Sequence, residues 1–274
     1  MRRLGFAGFA LLALACSLSG RAQAGPSAGS FYVQSGFDAS GHSLSDLERY
    51  TATWNATMRS AGLPAGFDDV GGAPGFEVEA GYHVTDVLSV GVGFSHGTHS
   101  TNGSSAGVLD AGGSPIAVRY SRKLEASISE FTANVTYWVP AARCIFLGAQ
   151  VGLGMGKLDE DVSAVATDSI NVVSDFWSGE FTGSGFTGGV FGGFRVGLGA
   201  GFSTFGKLGY RSRSLGRFRG HFTMNGEPEP GGDHDYAGLL NALDPDAYPF
   251  RAVEFKYSGP YFSLGLGVSF GGRR

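Results

Sequence analysis

One serine lies in a pattern that is typical of a catalytic nucleophile. Gly93, Ser95 and Gly97 form a G-x-S-x-G motif, in which a sharp turn exposes the serine hydroxyl for attack on an ester. That geometry needs a strand before the turn and a helix after it. Residues 98–103 read THSTNG, which predicts a loop instead. We therefore expect no catalytic residue, and a nucleophilic Ser95 is the alternative.

Residues that could bind a metal ion or a phosphate group are few. His96 and His99 are close together, and residues 233–235 read Asp-His-Asp, but neither group has enough ligands at a defined spacing for a tetrahedral site. Residues 152–157 resemble a phosphate-binding loop only in their glycines, because the spacing differs and no serine or threonine follows the lysine. We expect no metal and no cofactor.

Charged residues that alternate with apolar ones are more informative. Glu77 and Glu79 lie on the polar face of one predicted strand. The polar faces of two later strands are basic: Arg195, Lys207, Arg211, Arg213, Arg217 and Arg219. We call six of these residues the charge cluster: Glu77, Glu79, Arg195, Lys207, Arg211 and Arg213. Buried charges are costly without partners, so we expect an ion-paired core, with ligand binding as the alternative.

The elements that position these side chains follow from alternation of apolar and polar residues, which predicts β-strands. The predicted strands, in chain order, are 31–38, 76–83, 88–95, 116–137, 145–156, 185–198, 202–213 and 253–270. Apolar residues change parity within the fourth and the last of them. We expect β-bulges there, near Ser129–Glu130 and Gly259–Pro260, because a bulge exchanges the two faces of a strand.

The connections between these strands alternate in length. The short ones are predicted at 84–86, 140–143 and 198–201, and the long polar ones at 39–73, 97–114, 157–184 and 222–250. Regular alternation of short and long connections is typical of transmembrane barrels, in which alternating lipid-facing and interior residues keep the mean hydropathy, here +0.03, near zero. The predicted fold is therefore an all-β, closed antiparallel transmembrane β-barrel of about eight strands, with long extracellular loops and short periplasmic turns.

The N-terminus has the features of a secretory signal peptide. Arg2 and Arg3 precede an apolar stretch, and residues 22–24 read Ala-Gln-Ala, a typical cleavage site. We predict a signal peptide at 1–24 and a barrel domain at 25–274, with lipidation at Cys16 as the alternative. Cleavage would leave Cys144 as the single cysteine, which excludes an intramolecular disulfide.

Composition excludes several other classes of protein. The 47 glycines have no three-residue period, which excludes collagen, and abundant aromatic residues argue against disorder. A net charge of −4 gives no basic excess for binding nucleic acid.

The first long loop contains a predicted helix. Ser45 and Glu48 form a capping box, and the apolar residues that follow have helical spacing: Leu47, Tyr50, Trp54 and Met58. A surface helix that packs on neighbouring loops is the favoured interpretation, and a plug in the barrel mouth is the alternative.

With this strand pattern, the chain resembles the small eight-stranded outer-membrane β-barrels, a group that includes the membrane domain of outer-membrane protein A, outer-membrane protein W and the opacity-type proteins. Its last strand carries a terminal motif of alternating apolar residues, Phe262, Leu264, Leu266, Val268 and Phe270. The motif looks like the assembly signal of that group, although four residues, 271–274, follow it here. The resemblance implies three partners, namely outer-membrane lipids with lipopolysaccharide, the barrel assembly machinery, and an extracellular molecule bound through the loops.

The expected function is non-enzymatic: a structural, surface-interaction or minor transport role in the cell outer membrane. The alternative is a lipid-modifying enzyme of the acyl hydrolase or transferase type that uses Ser95, because outer membranes also contain barrel-shaped lipid hydrolases. Fold alone does not choose between these roles.

Replacing the last aromatic residue tests the predicted assembly signal. Phe270→Ala should slow assembly more than deletion of residues 271–274, because Phe270 belongs to the apolar stripe and the tail does not. The measurement is the fraction of protein that migrates as a folded barrel on unheated detergent gels. Equal folded fractions for Phe270→Ala and the unmodified chain would count against the signal.

Overall fold

Eight antiparallel strands form a closed ring. The structure, a computed structural model, describes residues 26–40, 43–64, 66–67, 73–110, 114–168, 171–228, 232–236 and 255–271. The ring strands are β1 (Ser30–Ser40), β2 (Ala73–His83), β3 (Leu88–Asp110), β4 (Pro115–Trp138), β5 (Ile145–Thr167), β6 (Val172–Gly199), β7 (Phe202–Leu215) and β8 (Phe255–Gly271). Each strand pairs with the next, and β8 pairs with β1. The predicted eight-stranded barrel is confirmed.

The outer wall of the ring carries a continuous layer of exposed apolar side chains, which we call the belt. Its members come from all eight strands: Phe31, Val33, Phe37, Phe76, Val78, Val90, Val92, Phe131, Val135, Leu147, Val151, Leu153, Met155, Phe186, Val190, Phe202, Leu208, Tyr210, Phe262, Leu264, Leu266 and Phe270. Between them, the inward positions are polar and buried, as at Asn134 and Gln150. An apolar exterior around a polar interior is the arrangement that a lipid bilayer requires of a barrel.

Four strands are much longer than the belt needs. β3 to β6 contain 23 to 28 residues, whereas β1 and β2 contain 11 and a strand crosses a bilayer in about 9–11. The predicted long loops at 97–114 and 157–184 are therefore wrong over most of their length, because these residues continue the strands of two hairpins. The predicted short turns agree with the structure, since β2 ends at His83, β4 at Trp138 and β6 at Gly199.

The predicted bulges are also wrong. β4 keeps an unbroken register with β3 and β5 through Ser129–Glu130, and β8 keeps one with β7 through Gly259–Pro260. On the N-terminal side of Glu130, the inward positions of β4 become apolar, and Leu124, Ala126 and Ile128 are all buried. The apolar side changes because the surroundings change. In the belt, the outer wall of the sheet contacts lipid. Past the belt, the outer wall contacts water, so apolar residues there pack on the inner side.

We call the part of the chain beyond the belt the cap. It comprises the ends of β3 to β6 together with α1 (Ser45–Ser60) and the short strand Arg219–Met224, which pairs with β6. Its inner side holds a hydrophobic core with these members: Leu124, Ala126, Ile128, Leu158, Phe181, Leu215, Phe218, Phe222 and Tyr236. The cap therefore has a core of its own, like that of a water-soluble domain.

Helix α1 begins at Ser45, as the capping box predicts. The Trp54 ring stacks on Tyr120 at a centroid distance of 5.1 Å, and Met58 is buried with Leu63 and Phe67. Leu47 lies outside the residues whose side chains are described. The described part of the helix packs on Tyr120 at the inner side of the cap and on Leu63 and Phe67, so it lies at the mouth of the barrel, closer to the alternative than to a surface helix on neighbouring loops.

Inward glycines make room for aromatic rings in the interior. A methyl group on Gly148 would lie 2.3 Å from Cζ of Phe191 and 2.8 Å from the Val135 carbonyl oxygen. A methyl group on Gly81 would likewise overlap the Tyr32 ring. Large rings opposite glycines fill a barrel of this size with side chains.

Candidate functional site

The centre of the barrel interior is built around Lys207 on β7. Its ammonium nitrogen lies 2.6 Å from Glu79 Oε2 and 3.1 Å from Glu77 Oε1, both on β2 across the ring. All three side chains are almost fully buried. Lys207 also lies 5.4 and 5.5 Å from the ring centres of Phe191 and Phe205, and aromatic rings at this distance attract an ammonium group.

Two arginines extend this site towards the cap. Arg211 donates to Asp38 at 2.5 Å and to Glu77 at 3.1 Å. Arg213 donates to both carboxylate oxygens of Glu130, through Nε at 2.6 Å and through Nη2. Such two-pronged bonds between guanidinium and carboxylate fix both distance and orientation.

Arg195 lies at the opposite side of the site and bonds differently. Its Nη2 donates to the amide oxygen of Gln34 at 2.5 Å, and its guanidinium lies over the rings of Tyr32 and Trp138. Tyr32 and Gln34 both donate to Glu79, at 2.6 and 3.0 Å. Arg195 therefore joins the network through neutral side chains.

Charges in this network balance. Among the described residues, four buried carboxylates face four buried cations: Asp38, Glu77, Glu79 and Glu130 with Arg195, Lys207, Arg211 and Arg213. A buried ion without a partner costs several kcal/mol, so the balance allows the charges to remain in a dry interior. Chemically, the arrangement fills and cross-links the barrel.

The structure brings together five members of the charge cluster, Glu77, Glu79, Lys207, Arg211 and Arg213, and it connects Arg195 to them by two hydrogen bonds, through Gln34. Our sequence reasoning missed two acidic members, Asp38 and Glu130. Asp38 has the same parity as Tyr32 and Gln34 in β1, and this alternation indicates that all three side chains face the interior. Glu130 was not recognised as an inward residue, because a bulge was predicted at that position and a bulge exchanges the two faces of a strand.

Arg217 and Arg219, which we predicted in the same row, are exposed and do not face the interior. β7 ends at Leu215, and the chain turns before the next short strand begins at Arg219. Each arginine lies 4.0 Å from an exposed or half-exposed aspartate, Asp235 or Asp233. The period-two pattern does not extend across a turn, so parity beyond Leu215 carried no information.

Ser95 lies within a strand and not at a nucleophile elbow. β3 continues to Asp110, whereas the motif requires a sharp turn and a helix. The Ser95 hydroxyl faces the interior and donates to Glu130 Oε2 at 3.0 Å. In this geometry Ser95 serves as one more hydrogen-bond donor to the buried carboxylate.

The histidines considered and set aside as metal ligands in the sequence lie apart from one another. His96 bonds to the Ser129 hydroxyl at 3.0 Å, whereas His99 is buried on the opposite face of the same strand. His234 packs against the Phe222 ring. Within the described ranges, no group of three or more histidine, cysteine or acidic residues is arranged to hold a metal ion.

A second buried ion pair lies in the cap. Arg122 Nε donates to Glu160 Oε1 at 2.5 Å, and the Tyr236 hydroxyl donates to the other carboxylate oxygen at 2.7 Å. This contact ties the segment around Tyr236 to the inner side of β4 and β5. The bond between Tyr236 and Glu160 could not be predicted from local patterns, because it joins residues 76 positions apart.

The predicted assembly motif forms an exposed apolar stripe on β8. Phe262, Leu264, Leu266 and Phe270 face outward, and Phe270 stacks on Phe31 of β1 at 6.1 Å. The stripe therefore lies at the seam where the last strand meets the first. In the part of the chain that the structure describes, no helix is long and apolar enough to cross a membrane.

An apolar outer wall around a paired, polar interior defines a membrane-spanning β-barrel protein. Residues 8–229 match the family described as outer membrane protein beta-barrel domain, and the chain belongs to this family. It is accordingly a protein of the Gram-negative outer membrane.

The chain aligns over most of its length with solved structures of low sequence identity. Ail, the attachment invasion locus protein of Yersinia pestis, is 11% identical, with 89% of this chain and 99% of Ail covered and a TM-score of 0.38. OprG from Pseudomonas aeruginosa is 12% identical, with 90% of this chain and 98% of OprG covered and a TM-score of 0.35. Among curated proteins, none matches the sequence.

Double-mutant cycles test the ion pairs. Removing Glu130 or Arg213 alone should destabilise the barrel by about 3–5 kcal/mol, because each leaves a buried charge without its partner. The double variant should lose less than the sum, with a coupling of about 0.5–3 kcal/mol. Unfolding in lipid vesicles measures these free energies, and Glu79 with Lys207 should behave in the same way.

The exposed pair Lys157 and Glu180, 3.2 Å apart, is the matched control and should show no resolvable coupling. Glu79 with Arg211 should couple less than Glu79 with Lys207, because Arg211 bonds to Asp38 and Glu77. Additive losses at Glu130 and Arg213 would contradict the assigned pairing.

Proposed function

We propose that this protein is a non-enzymatic outer-membrane barrel with a closed interior, which acts by presenting its cap as an interaction surface. The observation that carries the proposal is the combination of a balanced ion network within the belt and a separate hydrophobic core beyond it. Because paired charges fill the interior, the network supports a function that needs no open path for a solute through the barrel. The cap extends the structure well past the membrane, where it meets other molecules.

The remaining expectations about maturation and partners belong to the same proposal. Residues 1–24 act as a signal peptide, cleavage follows Ala24, and residues 25–274 form the mature barrel. The stripe on β8 serves as the signal for the assembly machinery. Outer-membrane lipids with lipopolysaccharide surround the belt, and an extracellular partner binds the cap.

Conductance measurements test the closed interior. Purified protein in planar bilayers should give no large, steady channels, because paired charges and the rings of Phe191, Phe205 and Tyr261 occupy the path. The matched comparison is Phe191→Ala, in which the loss of one ring should increase brief openings without unfolding the barrel. Large steady channels in the unmodified protein would refute the proposal and favour transport.

Ser95→Ala separates the proposed role from an enzymatic one. A serine that only donates to Glu130 should leave membrane lipids unchanged when replaced, while the barrel loses about 0.5–3 kcal/mol of stability. Lipids from cells that overproduce each form are compared by mass spectrometry. An altered lipid profile that disappears with Ser95→Ala would establish lipid modification instead.

A further inference from the structure

A small cavity lies at the level where the belt ends and the cap begins. Its volume is about 20 Å³, and it is lined by Asp38 and Arg213 of the charged network and by Ile128 of the hydrophobic core of the cap. A buried water molecule needs roughly 10–15 Å³, whereas pockets for organic ligands have volumes of roughly 300 Å³ or more. The cavity can therefore hold one water molecule or one small ion.

One carboxylate oxygen of Asp38 has no hydrogen-bond partner within the described part of the chain. Asp38 is 5% exposed, and its Oδ2 accepts from Arg211 at 2.5 Å, but its buried Oδ1 accepts from no described donor. Leaving a buried polar atom unbonded is costly, above all in a charged group, so such atoms almost always bond to protein or to ordered water. Oδ1 therefore requires a donor, and the cavity that Asp38 lines has room for one.

The hydroxyl group of Ser95 supplies a second bonding position in the same cavity. Its proton is donated to Glu130 Oε2 at 3.0 Å, so the lone pairs of Oγ can accept a hydrogen bond from another molecule. Asp38 Oδ1 is an acceptor as well. A molecule that bonds to both groups must therefore donate two hydrogen bonds from a single small centre, as water does.

The charges around the cavity argue against an ion. Arg211, which bonds to Asp38, and Arg213, which lines the cavity, would both repel a metal cation. The carboxylates of Asp38 and Glu130 would repel an anion. A neutral molecule with two donors is the ligand that meets both conditions.

We propose that this cavity binds one structural water molecule, which donates to Asp38 Oδ1 and to Ser95 Oγ. The water joins β1 to β3 across β2. Gly75 of β2 pairs with Asp38 on one side and with Gly97 of β3 on the other, so no side chain at this level of β2 separates the two strands. The site thus completes the charged network at its upper edge, where the side chains of the sheet leave a gap.

Water can reach this site from the extracellular side. The half-exposed ring of His96 also lines the cavity, and β2 begins at Ala73, only two positions before Gly75. Entry therefore needs no path through the belt. The inference goes beyond the proposed function and is compatible with a closed barrel.

A high-resolution crystal structure of the protein, from crystals grown in rubidium bromide, tests the site directly. We expect one density peak at about 2.6–3.2 Å from both Asp38 Oδ1 and Ser95 Oγ, without anomalous scattering. Rubidium and bromide scatter anomalously, so a peak with an anomalous signal would identify an ion and overturn the proposal. A cavity without a peak would overturn it as well.

Matched variants test the assigned partners in the same crystals. Asp38→Leu removes Oδ1 at nearly constant side-chain volume and should abolish the peak, while Arg211 keeps its bond to Glu77. The control is Ser263→Ala, which removes a hydroxyl that donates to Glu77 at 2.8 Å outside the cavity, and it should leave the peak unchanged. A peak that persists in Asp38→Leu would show that Asp38 does not hold the water.

Unfolding in lipid vesicles gives a second measurement that needs no crystal. Because a shared water couples its two partners, Asp38→Leu combined with Ser95→Ala should raise the unfolding constant at least about threefold less than the product of the single effects. Asp38→Leu with Ser263→Ala is the matched cycle, since Ser263 also donates to a carboxylate of the network, and it should be multiplicative within about twofold. Multiplicative effects in both cycles would overturn the shared water, whereas channel conductance bears on the proposed function alone.

Discussion

The structure depends on one constraint: within the membrane, the outer wall of the barrel contacts lipid. Every second residue of each strand must then be apolar, and the polar residues between them point inward. The interior of an eight-stranded barrel is too narrow to hydrate so many polar groups, so they must bond to one another. The pairing of Lys207 with Glu77 and Glu79, and of Arg213 with Glu130, follows directly from this confinement.

The same constraint explains the reversal of the apolar side in the long strands. β4 crosses from belt to cap without a break in register, yet its apolar positions move from the outer wall at Phe131 to the inner wall at Ile128. Water replaces lipid outside the sheet at this level, and the hydrophobic effect then favours packing inward. One continuous sheet thereby joins a membrane barrel to a cap with its own core.

Because the narrow interior is filled by side chains, the exposed polar groups of the described residues lie outside it. The charged network, Ser95 and the aromatic rings contact one another in the interior, and these contacts cross-link the barrel. Exposed polar groups lie instead on the outward wall of the cap, where Glu125, Asp159 and Glu180 stand side by side.

The sequence determined the strands of the belt, the three short turns, the start of the helix at Ser45 and the polar face that carries Glu79 and Lys207. These features are local, since period-two alternation and capping residues act over a few positions. Tertiary structure decided the rest. Which carboxylate meets which cation depends on closure of the ring, because Arg211 and Asp38 are 173 positions apart. The cap was misread as loops and bulges because a change of parity has two causes, an inserted residue or a change of surroundings, and only the folded chain shows where lipid gives way to water.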